Sequence, residues 1–267
     1  MADAQKYALI TGATSGIGLE LAKLFAQDHY NLVIVARSEE ELASTASQLS
    51  QQYGVKVETI AKDLFQREAP FEVYEEVKAK GIQIDALVND AGQGQYGKFT
   101  ETDIYRELDI IQLNIAAYVV LTKLYLKEMV ARNEGKILQV SSIGGELPGP
   151  LQSVYHGTKA FITSFTEAIR AENKDTNIAI TALLPGVTDT DFFDKADMED
   201  SKLVQEGSKA DPAKVAKDGY EALLANKDKI ISGFKNKAQV AMSNLMPDDM
   251  VAANMLKQGE PVHKEEK

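Results

Sequence analysis

The sequence predicts an α/β fold: a parallel sheet covered on both faces by helices. Three observations predict it. Short β-branched runs alternate with longer amphipathic ones from end to end, the order that parallel strands joined by crossover helices require. Several short runs are apolar nearly throughout, which suits strands buried on both faces. A glycine-rich stretch, TGATSGIG (11–18), joins the first strand run to the first helical one.

The elements follow in order. Strands are expected at 7–10 (YALI), 31–36 (NLVIVA), 55–60 (VKVETI), 85–89 (DALVN), 136–140 (KILQV), 178–184 (IAITALL) and 229–231 (KII). Between them, Leu19, Ala22, Lys23 and Ala26 fall on helical spacings, and Leu42, Ala46 and Leu49 form one stripe. A long helix is expected from about 103 to 131. No internal repeat or flexible linker interrupts the pattern, so residues 1–267 read as a single domain. Its core spans about 5–232, and a helical segment follows at about 234–258. The tail, PVHKEEK, reads as a frayed terminus.

Composition narrows the function. The 267 residues are 44% hydrophobic, enough for a sizeable core, and carry a net charge of −11 with a pI near 4.9. Such a surface repels phosphate backbones and anionic lipids, so neither nucleic acid nor a membrane is an expected partner. The chain has no cysteine, which excludes disulfides, thiolate metal sites and a cysteine nucleophile. His29, His156 and His263 show no metal-ligand spacing, and no metal is expected. The start, MADAQKYALI, does not read as a signal peptide. No window reads as the roughly 18 apolar residues of a membrane helix. The expectation is a cytoplasmic protein.

The glycine stretch carries the first chemistry. Gly12, Gly16 and Gly18 permit a tight turn and close backbone approach, and the helix that follows offers unpaired N–H groups to a pyrophosphate. The position fits dinucleotide binding: strand before, helix after, and a βαβ unit completed within about 30 residues. At the end of the second strand, where NAD-binding units place an acid for the ribose 2′-hydroxyl, stand Ala36 and Arg37. A guanidinium pairs with a 2′-phosphate that a carboxylate would repel, so NADP(H) is expected over NAD(H). The bland alternative is an arginine ending a strand in solvent. Asp63, in KDL (62–64), either bonds the adenine amino group or caps the next segment.

These residues, with NDAG (89–92), Asn114 in QLNIAA, Ser142 in VSSIGG, YHGTK (155–159) and PGVTDT (185–190), follow the order of a known family. Over roughly residues 5–232 the chain resembles a short-chain dehydrogenase/reductase. The resemblance implies a Rossmann fold, doubly wound around a seven-stranded parallel sheet, with Ser142, Tyr155 and Lys159 meeting at the carboxyl ends of the strands. It assigns cofactor contacts to Gly12, Thr14, Ser15, Gly16, Ile17, Gly18, Arg37, Asp63, Leu64, Asn89, Ala91, Gly92, Tyr155, Lys159, Pro185, Gly186, Val187 and Thr188. Two positions depart from the usual pattern. Asp90 replaces an asparagine, which bears on a local hydrogen bond and not on the chemistry. His156 follows the tyrosine, and one helical step turns it away as a neighbour rather than a base.

The chemistry is that of a positioned acid. A tyrosine near pKa 10 is a poor acid or base at neutral pH, and a nearby cation favours its phenolate. Positions i and i+4 share a helix face, which sets Lys159 beside Tyr155. By resemblance Ser142 holds the substrate oxygen, Asn114 positions a water that leads protons to the lysine, and the cofactor ribose lies between Tyr155 and Lys159. Hydride then moves between nicotinamide and a carbonyl carbon, with Tyr155 exchanging the proton. Singly, each residue has a plain reading: a loop hydroxyl at Ser142, a helix-face amide at Asn114.

After PGVTDT, residues up to about 210 lack strong periodicity and read as a substrate lid at about 187–210. Phe192 and Phe193 either close over a substrate or pack on the core. With Gln93, Tyr96, Gly144 and Leu147 they suggest a moderately apolar carbonyl compound or its alcohol as the small-molecule partner. Met242, Met246, Met250 and Met255 form a stripe that reads as core or subunit contact before lid. The expected protein is thus an oxidoreductase, an NADPH-dependent carbonyl reductase, as a homodimer or homotetramer. The alternatives are an NADP-dependent alcohol dehydrogenase running oxidatively and a non-catalytic NADP-sensing protein, although this chain keeps both tyrosine and lysine.

Overall fold

The structure is a computed structural model and describes residues 5–262. His263 and most of the tail lie outside the described residues, as do residues 1–4. Seven parallel strands form one sheet in the order β3-β2-β1-β4-β5-β6-β7. In chain order the elements are β1 (Tyr7–Thr11), α1 (Gly16–Gln27), β2 (Asn31–Ala36), α2 (Glu39–Tyr53), β3 (Val57–Ala61), α3 (Ala69–Ala79), β4 (Ala86–Asn89), α4 (Ile104–Ile111), α5 (Ala117–Arg132), β5 (Gly135–Val140), α6 (Ser153–Glu172), β6 (Ile178–Leu184), α7 (Phe192–Lys195), α8 (Lys202–Gln205), α9 (Pro212–Leu224), β7 (Lys229–Ile231), α10 (Phe234–Ser243) and α11 (Asp248–Gly259).

The period of two along each strand divides the core. Ala8 and Ile10 of β1 face Leu21 and Phe25 of α1, Leu42 of α2 and Leu223 of α9. Leu9, between them, faces the opposite layer with Val73 of α3, Tyr125 of α5 and Ile169 of α6. Central strands buried on both sides explain why their sequences are apolar without alternation. The sheet order reverses between β1 and β4. At such a switch point the loops leaving the strands part and open a crevice at their carboxyl ends.

Three sequence expectations change here. The helix expected over 103–131 is α4 and α5 joined through a π-helical turn, Gln112–Ala116, and such turns often mark functional sites. By length and composition the whole stretch, Ile104–Arg132, is apolar enough to cross a membrane, which the sequence reading did not find. Its inner side, including Leu113, Ala117, Leu121, Tyr125 and Met129, packs against the sheet. Residues 187–210 are also more ordered than their sequence suggests. Thr188 bridges to Ala210, so the segment leaves and re-enters the body at one point. Phe193, Ala196, Met198 and Val204 give it a small core of its own.

Candidate active site

A cavity of about 800 Å³ runs along the carboxyl ends of the strands, from Arg37 and Asp63 past the glycine turn to Ser142, Tyr155 and Phe192. β1 ends at Thr11, and the chain turns at Gly12, with φ +72°, and at Gly16, with φ +56°. Both values favour glycine. A Cβ on Gly12 would stand 3.1 Å from the Ala91 backbone. Gly18 lets α1 approach the turn, since a Cβ there would collide with the Gly12 carbonyl and the Asp90 carboxyl. The cleft is therefore backbone-lined where a pyrophosphate needs to come close, and its residues fit a dinucleotide.

At the far end Arg37 is exposed. Its guanidinium lies 5.6 Å from the Phe65 ring centroid, and Arg106 lies 5.0 Å from the same ring. Asp63 accepts a hydrogen bond from the Phe65 N–H at 3.2 Å while lining the cavity, so the capping geometry is present there.

Most of the expected cofactor residues line this cavity: Gly12, Thr14, Ser15, Gly16, Ile17, Arg37, Asp63, Leu64, Ala91, Gly92, Tyr155, Lys159, Pro185, Gly186, Val187 and Thr188. Two do not. Asn89 is fully buried, and its amide donates to Thr122 Oγ1 and Gln139 Oε1 at 3.1 and 2.9 Å. It ties β4 to α5 and β5 and does not reach the cleft. Gly18 supports the turn from behind.

At the other end α6 presents Tyr155 and Lys159 from one face. The Lys159 ammonium donates to the Val140 carbonyl at 2.8 Å and lies 5.8 Å from the Tyr155 ring centroid. Ser142 Oγ accepts the Gly144 N–H at 3.0 Å, which fixes the hydroxyl as cap of a 3₁₀ turn, Ile143–Glu146. Asn114 sits in the π turn, fully buried. Its amide donates to Gln93 O and Thr158 Oγ1, and its Oδ1 accepts the Gln93 N–H at 3.0 Å. It is thus a clamp between the 93 loop and α6, outside the cavity wall. A Cβ on Gly92 would touch both the Lys159 ammonium and Asn114 Oδ1.

The electrostatics correct two expectations. Burial pushes the Tyr155 hydroxyl up to about 12, and the Asp90 charge adds to it against a hydrogen bond with Ser142. The protein alone does not lower the pKa of this phenol, because loss of water outweighs the hydrogen bond with Ser142. Burial brings Lys159 down to about 8, opposed by Asp90. Asp90 was expected to leave the chemistry untouched. Instead burial raises its carboxyl to about 7 against the attraction of Lys159 and the Gly18 N–H. The sequence marked this position by an acid in place of an amide, but its electrical reach appears only in the fold.

The substrate end is mixed. Gln93, Gly144, Leu147, Phe192 and Phe193 line the cavity, whereas Tyr96 does not. The Tyr96 hydroxyl donates to Gly259 O at 2.6 Å, and its N–H to Ala196 O at 2.9 Å. It fastens the lid segment to the end of α11. Phe193 both lines the cavity and packs in the lid core, while the Phe192 ring lies 5.0 Å from that of Tyr155. His156 turns to Leu147 O, with Nδ1 at 2.9 Å, and burial lowers its pKa. The methionine stripe is not core. Met242 and Met250 are exposed, and Met255 lines the cavity beside Lys235, Asn236 and Gln239. Phe234, at the start of α10, is 85% exposed. The sequence singled out Met255, as core or subunit contact before lid, but not Lys235, Asn236 or Gln239, which no motif marks. Sequence reading also missed Gln152, which lines the cavity three residues before Tyr155.

Comparisons with known proteins agree with this geometry. A family model described as short chain dehydrogenase matches residues 6–201. The very-long-chain 3-oxoacyl-CoA reductase of Anas platyrhynchos is 34% identical over 185 residues, 67% of this chain and 58% of that protein. Its counterpart in Laccaria bicolor is 35% identical over 178 residues, 65% of this chain and 52% of that protein. The chain therefore spans only about half to three-fifths of the length of these relatives. Among solved structures, a 7beta-hydroxysteroid dehydrogenase superposes with a TM-score of 0.85 at 24% identity, covering 94% of this chain and 96% of that one. That likeness concerns the fold alone. A short-chain dehydrogenase from Sphingobium yanoikuyae in complex with NADPH gives 0.82 at 25% identity, covering 98% and 99%. The chain belongs to the short chain dehydrogenase family.

Proposed function

We propose that the protein reduces a carbonyl group on an apolar, acyl-type small molecule, with NADPH preferred over NADH. The reading rests foremost on one arrangement: Ser142, Tyr155, Lys159 and Phe192 converge at one end of a cleft whose other end carries the exposed Arg37. The reduced nicotinamide, when bound, supplies the hydride. This chain's residues do the rest. Tyr155, protonated across the physiological range, gives its proton to the carbonyl oxygen as charge develops there. Ser142 donates to the same oxygen and orients it. Lys159 keeps a positive charge beneath the tyrosine. Phe192, Phe193 and Leu147 exclude water and cover the alkyl chain.

Arg37 supports the cofactor choice, since no acid occupies the end of β2 where a ribose diol would be held. The NADPH complexes among the structural neighbours support it too, and the names of the curated relatives support an acyl chain. The test is steady-state reduction of a carbonyl panel with each cofactor, alongside cofactor binding. Arg37→Ala is expected to weaken NADPH binding by roughly 1.5–3 kcal/mol and to leave NADH nearly unchanged. Tyr155→Phe is expected to keep NADPH binding and lose about 10²–10⁴-fold in turnover. Equal use of both cofactors by the wild type overturns the role of Arg37, and near-normal turnover by the phenylalanine variant overturns the mechanism.

A further inference from the structure

The large apolar side chains most open to water stand on α10. Phe234 is 85% exposed and Leu245 87%, more than any other large apolar residue among the described ones. Met242, between them, is exposed too. At about 3.6 residues per turn, Phe234, Ala238, Ala241, Met242 and Leu245 fall on one side of the helix and of the turn that continues it. The opposite side is held to the body. Val240 is buried there, the Asn236 amide donates to Ser232 O at 2.6 Å, and Asn236 and Gln239 line the cavity. The helix is thus fixed with its apolar stripe turned outward, the reverse of a core helix.

The charge beside the stripe is positive. Lys235 and Lys237 are both exposed and flank it, one on each side. From Ile230 to Pro247 the chain has these two lysines and no acid. The next acids, Asp248 and Asp249, sit in the first turn of α11, where the helix dipole favours them. The expectation that the chain avoids membranes rests on its net charge of −11, an average over the whole surface. In physiological salt charges farther away than a Debye length of about 8 Å are screened. A surface that meets α10 therefore meets its cations.

An exposed apolar stripe of this kind marks a docking face. A second copy docked through the same face would bring the lysines of both copies together with no carboxylate between them. A phospholipid surface answers both features. Its acyl region takes the ring, the thioether and the leucine, and its phosphates take the ammonium groups at the ends of long flexible stems. We propose that α10 docks the protein on a phospholipid bilayer, with Phe234, Met242 and Leu245 in the interface and Lys235 and Lys237 on the phosphates. Lys235 is both exposed and part of the cavity lining, so the docked face borders the rim of the cavity. The inference goes beyond the carbonyl-reductase reading and does not depend on it.

The experiment floats the protein with vesicles of phosphatidylcholine, pure or with about one-fifth phosphatidylglycerol. The wild type is expected to rise with both and to bind the mixed vesicles more tightly. The double variant Phe234→Ser, Leu245→Ser is expected to lose roughly tenfold or more in partitioning to either vesicle. Lys237→Gln is expected to lose about fivefold on the mixed vesicles and little on the pure ones. All three positions are exposed, so both variants are expected to melt within about 2 °C of the wild type. The chain has no tryptophan, and Phe234→Trp supplies a reporter that removes nothing from the face. Its emission is expected to move to shorter wavelength when mixed vesicles are added, whereas that of Phe71→Trp, on α3, is expected to stay. The proposal is overturned if the wild type stays out of the lipid fraction, if either variant binds both vesicles as the wild type does, or if the Phe234→Trp emission does not move. A lipid-free wild type whose double variant is smaller by light scattering overturns it in favour of a second copy.

Discussion

Asp90 stands where the family pattern has an amide, and the exchange puts a titrating carboxyl within electrostatic reach of Lys159. Burial holds that carboxyl at about 7, well above the ordinary carboxylate range. Its charge in turn helps Lys159, lowered to about 8, to keep its proton. If reduction needs the ammonium, the rate is expected to fall as pH rises through about 8. Asp90→Asn removes the supporting charge and is expected to move that limb to lower pH. The measurement is kcat/KM for one ketone from about pH 6 to 10, and coincident limbs in both proteins would refute the coupling. Stability changes the same way in sign. The folded carboxyl binds a proton at pH values where the unfolded one has lost it, so this group's contribution declines as pH rises from about 4 to 7. The asparagine variant is expected to lack that slope in melting temperature. The letter D at position 90 was legible, but its consequence was not. It depends on how the surrounding packing strips water from the carboxyl while the Gly18 N–H donates to it, which only the fold shows.

The elements around the site divide into those with a motif and those without one. β1, the glycine turn and α6 announce themselves by strand-turn-helix order and by the i, i+4 pair Tyr155 and Lys159. The lid and the C-terminal helices do not, because their contacts join residues far apart in sequence. The Tyr96 hydroxyl bonds to Gly259 O, and Lys202 bonds to Glu260 at 2.9 Å. α10 leans on the loop after β6 in the same manner: a Cβ on Gly186 would collide with the Asn236 side chain. Asn236 is itself held by a bond to Ser232 O at 2.6 Å. Gly186→Ala is therefore expected to cost about 1–3 kcal/mol, as overpacking does, and to weaken cofactor binding. Asn236→Ala in the same chain opens the space and is expected to recover most of that loss. Thermal unfolding and cofactor titration of the two single variants and the double variant measure the coupling. Strict additivity would show that α10 does not position the loop.

At the scale of the whole molecule, alternating strand and helix runs were enough to foresee a parallel sheet, and β2, β6 and β7 fall at their expected limits. Sequence pattern says less about which helix faces stay uncovered, since an apolar residue reads alike on a core face and on an interface. The structure separates them. On α4, Ile104, Tyr105, Leu108 and Ile111 are exposed, Tyr105 by 76%, while Ile110 is fully buried. Phe161 is exposed on α6, which packs beside α4. A contiguous apolar face of this kind on a chain of net charge −11 is costly in water and suits a self-complementary contact between two copies. We propose a homo-oligomer closed through this face. The paired substitution Tyr105→Glu and Leu108→Glu places like charges opposite one another across such a contact. Light scattering is expected to show a dimer or larger assembly for the wild type and a monomer for the variant. The variant's melting temperature is expected to be lower and concentration-independent, as loss of a partner subunit requires. Because α4 runs through the π turn into the Asn114 clamp on α6, the monomer is also expected to lose turnover while still binding cofactor. A wild type that is monomeric at micromolar concentration, or a variant of unchanged mass, would show that this face is covered by something other than a second copy.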